Sequence, residues 1–294
     1  MVEEGAQRLP FETVAAQPPQ EPSRNPLTTG NARVKETRKL SRRSERSERR
    51  LFLADGPKAV EGALAVPGCV VEIFATEAAT EQYAELAAAA PQWTLVEDRA
   101  LASLSDSVSP AGVVGLCRFL DRPLEVVLPV VEEGALAPVS KPRLVAICAD
   151  VRDPGNAGTV IRCADAAGAD GVVFAGQSVD AYNPKTVRAS VGSLFHLPLA
   201  IESDPVAADR AAQAAGLQVL AADGAGEVDL DHADELLAAP TAWLFGNEAW
   251  GLPAELAELA DHRVRIPIHG RAESLNLSTA AALCLYASAR AQRR

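Results

Sequence analysis

The chain reads as an α/β protein made of two successive alternations of strand and helix, a smaller unit first and a larger one with a parallel sheet after it. Three observations predict this. At 294 residues it is longer than one compact core usually serves, because single cores stop growing near roughly 250 to 300 residues. Short apolar runs alternate with helical patterns along almost the whole length past residue 30, as in sheets covered by helices. Residues 144–149, LVAICA, are apolar throughout, the composition of a strand buried on both faces of a parallel sheet.

The elements follow in order. Residues 1–30 hold Pro10, Pro18, Pro19, Pro22 and Pro26 among few apolar groups, too little buried surface to offset chain entropy, and read as a disordered tail. Residues 31–121 form the first unit. A basic helix begins at Asn31, followed by a strand at 51–54, a helix at 57–64, a strand at 70–75 and an alanine-rich helix at 77–90. A strand at 93–96, a helix at 99–104 and a strand at 112–119 complete a small α/β/α domain. Residues 122–142, with Pro123, Pro129, Gly134, Pro138 and Pro142 around a candidate strand at 124–131, read as a linker or edge segment. The second unit, 143–294, has the buried strand 144–149, a helix at 157–167, a strand at 171–175 and a helix near 185–191. Strands at 195–201, 217–221, 242–245 and 263–266 and a last helix at 278–290 end it.

Nearly half of the residues are apolar and about a quarter charged, the balance of a globular protein. No apolar run approaches the ~18 to 20 residues of a membrane span, and the start, Met1-Val2-Glu3-Glu4, lacks a signal-peptide layout. A cytoplasmic protein is expected. The five cysteines are scattered, mostly within apolar runs, with no Cys-x-x-Cys and no histidine at metal-ligand spacing. They read as reduced core residues, and no metal is expected. The net charge of −11 argues at first against a nucleic-acid partner. Screening at cellular salt limits exposed charges to about 8 Å, however, so a local cluster can still hold phosphates. Residues 33–50 supply one: Arg38, Arg42, Arg43 and Arg46 are its candidate RNA contacts.

Three segments carry candidate chemistry. The first, DVRDPGNAGTVIRCADAAGAD, follows the 144–149 strand directly. Ligands in open α/β sheets bind beyond the carboxyl ends of strands, and here a turn with Gly155 and Gly158 enters a helix, with Asn156 at its edge and Arg162 expected about a turn and a half further on the same face. An ordinary strand-turn-helix with Arg162 in a surface salt bridge would look the same. The second, LFGNEAWGLP, breaks a buried strand into a turn with Gly246, Asn247, Glu248 and Gly251 before Pro253 opens a helix. Most such turns are structural. The third, RIPIHGRAESLNLSTA, feeds a strand into a loop ending at Ser274, Asn276 and Ser278 before an apolar helix, and plain N-capping would explain Ser274.

In order along one chain, these segments resemble the SpoU/TrmH family of ribose methyltransferases within the SPOUT superfamily: Asn156-x-Gly158-x-x-x-Arg162, Phe245-Gly-Asn-Glu248-x-x-Gly251, and Ile266-Pro267 leading to Glu273-Ser-Leu-Asn276. The region 31–121 is similar to the small ribosomal-protein-like RNA-binding domain that precedes the catalytic domain in many members. The resemblance spans about residues 31–290. It implies a trefoil-knotted parallel-sheet domain, a homodimer with the active site near its interface, and S-adenosylmethionine as cofactor. By motif position, Gly246, Ile266 and Leu275 would hold the cofactor through backbone, with Glu248, Pro267 and Leu277 lining the pocket. Arg162 would act on the ribose hydroxyl, with Asn156, Glu248, Ser274 and Asn276 ordering the site. An arginine, whose pKa exceeds about 12, is a poor base, so its expected role is to stabilise the developing alkoxide while the proton leaves to phosphate or water. Lys185 and Arg188, in the NPKTVRASVGS stretch between the first two motifs, are candidate phosphate contacts, although two solvated helix charges would read identically. Trp250 is bulky for its place in the second motif, and packing inside the fold and approach to a base both remain open.

The expected reaction is therefore methyl transfer to a ribose 2'-hydroxyl of RNA, ribosomal RNA in preference to transfer RNA because of the leading domain. Two other classes compete. A non-catalytic RNA-binding protein on the same fold would have lost Arg162, Ser274 or Asn276, and all are present. A nucleotide- or NAD-binding enzyme would carry Gly-x-Gly-x-x-Gly after the 144–149 strand, and none follows.

Overall fold

A computed structural model describes residues 25–130 and 141–294. The chain begins with α1 (Ala32–Arg38), α2 (Arg43–Arg49), β1 (Leu51–Asp55), α3 (Pro57–Ala65), β2 (Val70–Ala75), α4 (Glu77–Gln82), α5 (Ala84–Ala89), β3 (Trp93–Leu95), α6 (Asp98–Ala102) and β4 (Val113–Arg118). These strands form a mixed sheet ordered β1-β4-β2-β3, antiparallel except for the β2–β3 pair. After α7 (Leu124–Val127) come β5 (Leu144–Ala149), α8 (Pro154–Ala167), β6 (Gly171–Ala175), α9 (Pro184–Ser190), β7 (Leu199–Glu202) and α10 (Pro205–Ala214). The chain ends with β8 (Gln218–Ala222), β9 (Val228–Asp229), α11 (Asp234–Leu237), β10 (Thr241–Phe245), α12 (Ala254–Leu259), β11 (His262–Arg265) and α13 (Leu277–Ala291). The seven strands β5 to β11 form a second sheet, parallel throughout, in the order β7-β6-β5-β10-β8-β11-β9. β5, β6 and β10 are buried along their whole length, in keeping with their sequences, which are apolar apart from Thr241. Four cysteines are buried and Cys163 half-buried, all of them free thiols.

Several expectations are corrected. The basic stretch is two helices, because Leu40 turns into the core within a 3₁₀ turn at Lys39–Ser41 and Arg42 is extended ahead of α2. The 77–90 helix breaks at Tyr83, whose φ of −116° and ψ of 44° leave the helical region. The candidate strand at 124–131 begins as the short helix α7, which buries Val127 and Leu128; the rest of that linker, 131–140, lies outside the described residues. The strand expected at 195–201 starts only at Leu199, after a 3₁₀ turn and Pro198. Leu27, from the expected tail, pairs beside the first domain. Leu27 N donates to Leu95 O at 2.8 Å and Glu97 N to Leu27 O at 3.0 Å, adding a bridge beside β3. Residues 1–24 of the expected tail lie outside the described residues.

The two sheets share one core. Phe119 stacks on Tyr182 at 3.8 Å between ring centroids, and Phe52 meets Tyr182 at 4.8 Å and Phe195 at 6.0 Å. The Tyr182 hydroxyl accepts from Leu120 N at 2.7 Å and Asp121 N at 2.6 Å and donates to Asp121 Oδ1 at 2.9 Å. Burial, followed by the neighbouring Asp121 charge, raises the pKa of this phenol. Beside it, Arg46 from α2 donates to Asp180 Oδ2 through Nε at 2.9 Å and Nη2 at 2.6 Å. Polar and aromatic contacts therefore fasten the N-terminal domain to the segment that leads into α9.

Candidate active site

The site lies where the carboxyl ends of β8, β10 and β11 open beside the start of α8. Three backbone features shape it. Asp153 caps α8 by accepting from Asn156 N at 2.8 Å, and Pro154 occupies the first turn, where its missing N–H costs nothing. The turn after β10 closes through Asn247 N to Gly251 O and Gly251 N to Asn247 O, both 2.9 Å. At Gly246 a Cβ would lie 2.4 Å from the carbonyl carbon of Gly251, so only glycine allows the turn to fold back on its own strand. A side chain there would push on the turn before it reached any ligand.

One hydrogen-bond relay joins the three motif segments. Asn276 Nδ2 donates to Asn156 Oδ1 at 3.0 Å, and Asn156 Nδ2 donates to Glu248 Oε1 at 3.2 Å. Glu248 also accepts from Arg152 N and Asp153 N, each at 3.0 Å. Partial burial alone would disfavour its charge, but the Arg152, Asp153 and Glu248 amides and the Asn156 side chain outweigh it and hold the pKa below the ordinary carboxylate value. Glu248 is thus an ionised acceptor with both oxygens in use, a brace more than a base. Asn276 is the N-cap of α13, accepting from Ser278 N at 2.9 Å and Ser278 Oγ at 2.6 Å. Ser274 is therefore not the cap; it lies upstream on the cavity wall.

That cavity, of about 220 Å³, takes its walls from Ala222 to Gly224 after β8, from Phe245 to Glu248 and Gly251 after β10, and from residues of the 264–280 segment. Of the expected cofactor residues, Gly246, Glu248, Ile266, Leu275 and Leu277 line it; Pro267 is half-buried and does not. Asp223 and Gly224 were missed as site residues; Asn247, expected in the turn after β10, lines the cavity as well. The signal was there: Asp-Gly directly after a strand end is where α/β ligands bind. Asn247 contributes mostly as an anchor, its amide donating to Asp150 O and accepting from Ala249 N, both at 2.8 Å. Three acidic residues, Asp223, Glu248 and Glu273, are among the lining residues, with no lysine, arginine or histidine among them. Such a wall favours a cation and disfavours a diphosphate.

The arginines fall out differently from expectation. Arg162 is exposed on α8 and absent from the cavity wall. Six residues at 3.6 per turn put it about 120° around the helix from Asn156, so the shared face is corrected. Arg46 is corrected as well. It is 2 % exposed, held by Asp180 and by Leu40 O at 2.8 Å and Ser41 O at 2.9 Å, and is not available to a phosphate. Arg38, Arg42 and Arg43 remain exposed. Lys185 sits 3.4 Å from the Asp153 carboxylate at the start of α8, and Arg188 reaches across to Asp106 of the first domain at 3.3 Å.

Against known proteins, residues 143–286 match the SpoU rRNA Methylase family and residues 31–115 the MRM3-like substrate binding domain. The Bacillus subtilis 23S rRNA (guanosine(2553)-2'-O)-methyltransferase RlmP is 33% identical over 87% of this chain and 95% of its own length. The chain belongs to the SpoU rRNA methylase family. Solved structures agree. The AdoMet-bound rRNA methyltransferase from Sinorhizobium meliloti is 35% identical with a TM-score of 0.75, covering 88% of this chain and 95% of that one. The SpoU methyltransferase AviRb from Streptomyces viridochromogenes, in complex with AdoMet, is 30% identical with a TM-score of 0.76 over 90% of this chain and 99% of that one. The two-part sequence reading thus corresponds to a SpoU methylase preceded by a substrate-binding domain.

Proposed function

We propose that this SpoU-family chain transfers a methyl group from S-adenosylmethionine to a ribose 2'-hydroxyl of 23S ribosomal RNA. The observation that carries the proposal is the relay Glu248–Asn156–Asn276, which clamps the three motif segments around a cavity with Asp223, Glu248 and Glu273 among its lining residues. The cavity suits S-adenosylmethionine, which joins a sulfonium cation to apolar and heteroaromatic parts, better than NAD, whose diphosphate the acidic wall would repel. When bound, the cofactor supplies an electrophilic methyl group for the 2'-oxygen.

The chain's own residues do the rest. Gly246 and the 264–280 segment, which line the cavity, would hold the cofactor. Asn156 and Asn276 each spend one amide N–H on the relay and keep another to orient a substrate oxygen. Positioning of this kind supplies much of the acceleration for an in-line displacement. Glu248 is a poor proton acceptor, since the N–H groups on its two oxygens hold its pKa below the ordinary carboxylate value. Arg162 acts electrostatically on the developing alkoxide and the adjoining phosphate, and the proton leaves to phosphate or water. Its place off the cavity wall supports a composite site in which a second copy presents Arg162. α13 supports the homodimer: Leu283 and Tyr286 stay exposed along a hollow they share with Leu230, Ala282 and Ala287, an apolar surface a lone domain would not gain from exposing. Walls drawn from the segments after β8, β10 and β11 support the trefoil knot of the fold family. No helix among the described residues is long and apolar enough to cross a membrane, and a cytoplasmic location fits a ribosomal substrate.

The test pairs calorimetry with methyl transfer into an unmodified 23S rRNA transcript. The parent protein should bind S-adenosylmethionine and label the transcript, and Gly246→Val should do neither. A parent that binds NAD in preference to S-adenosylmethionine, or that leaves 23S rRNA unlabelled, would overturn the proposal.

A further inference from the structure

Trp250 is 63 % exposed, although burying an indole is among the larger single gains available to a fold. Trp243, by contrast, is fully buried and donates its indole N–H to Ser288 Oγ at 2.9 Å. Among the described residues Trp250 makes no ring, ion-ring or hydrogen-bonded side-chain contact. The fold does not use this ring.

The backbone beneath it is nonetheless held firmly. The Asn247–Gly251 bridge closes the turn, and the Asn247 side chain ties it to Asp150 O and Ala249 N. Glu248 ties it to the start of α8, and Gly251 follows at a φ of +72°. Glu248 and Gly251, two residues before Trp250 and one after, both line the cavity while Trp250 does not. The ring therefore stands exposed at the rim on a turn held by these hydrogen bonds. Asn156 and Asn276 are joined to the same turn through Glu248, and Ile268 and Leu275, exposed residues, line the cavity it borders.

A ribose whose 2'-oxygen is presented to this cavity carries its base on the adjacent carbon, so the base must come to rest within one sugar of the rim. We propose that Trp250 is the platform on which the target nucleobase stacks, and that the substrate is consequently a nucleotide unstacked from its RNA neighbours, in a loop, a bulge or a locally opened helix. This rests on the RNA reading above. Stacking on an indole is available to any base, so the ring contributes affinity and orientation, not base identity, and serves the bound RNA without touching the cofactor.

The experiment compares the parent with Trp250→Ala and Trp250→Phe. It uses calorimetry with S-adenosylmethionine, methyl transfer to an unmodified 23S rRNA transcript, sedimentation, and tryptophan emission during titration with that transcript. Loss of the platform should lower kcat/KM for RNA by roughly 5- to 150-fold in the alanine variant, the range of one stacked base. The phenylalanine variant should stay within a few-fold of the parent, and cofactor affinity should be unchanged in both. RNA should quench emission in the parent and not in the variants, which keep Trp93 and Trp243. The proposal is overturned if alanine matches the parent, if phenylalanine is as poor as alanine, or if Trp250→Ala falls apart into monomers, which would assign the ring to a protein interface. If the parent itself labels no RNA, the functional reading fails; quenching confined to Trp250 would then still support stacking, and its absence would end it.

Discussion

Replacing Arg46 by alanine should unfold the protein more easily without changing how its RNA affinity responds to salt. The guanidinium spends its donors on Asp180 Oδ2, twice, and on the carbonyls of Leu40 and Ser41, and the Asp180 side chain is itself buried. Removing the cation strands a carboxylate and two carbonyls in the seam between the domains, and breaking such a buried pair typically costs about 3 to 5 kcal/mol. For a protein of this size each kcal/mol moves the midpoint by roughly 2 °C, so a fall of about 6 to 10 °C is expected. A thermal melt followed by circular dichroism reads this directly. A double variant, Arg46→Met with Asp180→Leu, should recover part of the loss, because an apolar pair of similar volume avoids the stranded charge but leaves the Leu40 and Ser41 carbonyls and the Tyr182 amide without these partners. An Arg46→Ala protein that melts within a degree or two of the parent, while its RNA binding weakens and its salt dependence flattens, would show that the guanidinium serves RNA and not the seam.

Three further outcomes are expected. Changing exposed Arg38, Arg42 and Arg43 to Gln should reduce the log-log salt slope of RNA binding by up to ~0.7 to 0.9 for each phosphate no longer neutralised, with S-adenosylmethionine affinity unmoved; an unchanged slope would make these charges a solvated surface. Asp209 on α10 is 1 % exposed with neither carboxylate oxygen partnered. Burial and then the charge of Asp261 raise its pKa from 3.8 to about 6, against a smaller opposing effect of Arg210. Because the folded state holds this proton more tightly than the unfolded one, its penalty is absent below pH 4, grows between pH 4 and 6 and is constant above, at ~3 kcal/mol. Asp209→Asn should therefore gain stability over the parent across that window, and melts at pH 4 and pH 7 that show the same difference would contradict this. Arg162→Ala should lose ~100- to 1000-fold in turnover with cofactor affinity intact. If the site is composite, mixing it with Gly246→Val should restore activity, up to about a quarter of the parental level for random reassortment into dimers; no recovery would place Arg162 and the cavity in the same chain.

The legible parts of this protein were those where local chemistry decides structure. Continuous apolar runs gave the buried strands β5, β6 and β10, and the glycine turn at Gly246 together with Asn156, Glu248 and Asn276 marked a site because each motif sits at a strand end or helix start. What was not legible depends on distant partners. Nothing around Arg46 distinguishes it from Arg42 or Arg43; only Asp180, 134 positions away, turns it from a surface charge into a buried anchor. Leu40 and Tyr83 break helices that periodicity alone would continue, Leu40 because it turns into the core. Leu27 pairs beside the first domain through its bridge to Val96. Arg162 was assigned to the face of Asn156 by proximity in sequence, where the helical repeat places it elsewhere.

The proposed activity stands or falls with the atom that receives the methyl group. Protein incubated with S-adenosylmethionine carrying an isotopic label in its methyl group and with unmodified 23S rRNA, followed by digestion to nucleosides and mass spectrometry, reads that atom directly. Label should appear in a 2'-O-methylnucleoside, should accumulate ~100- to 1000-fold more slowly with Arg162→Ala and should vanish with Gly246→Val. Label on a base nitrogen or carbon, or a 2'-O-methylnucleoside formed as well by both variants, would contradict ribose methylation at this site.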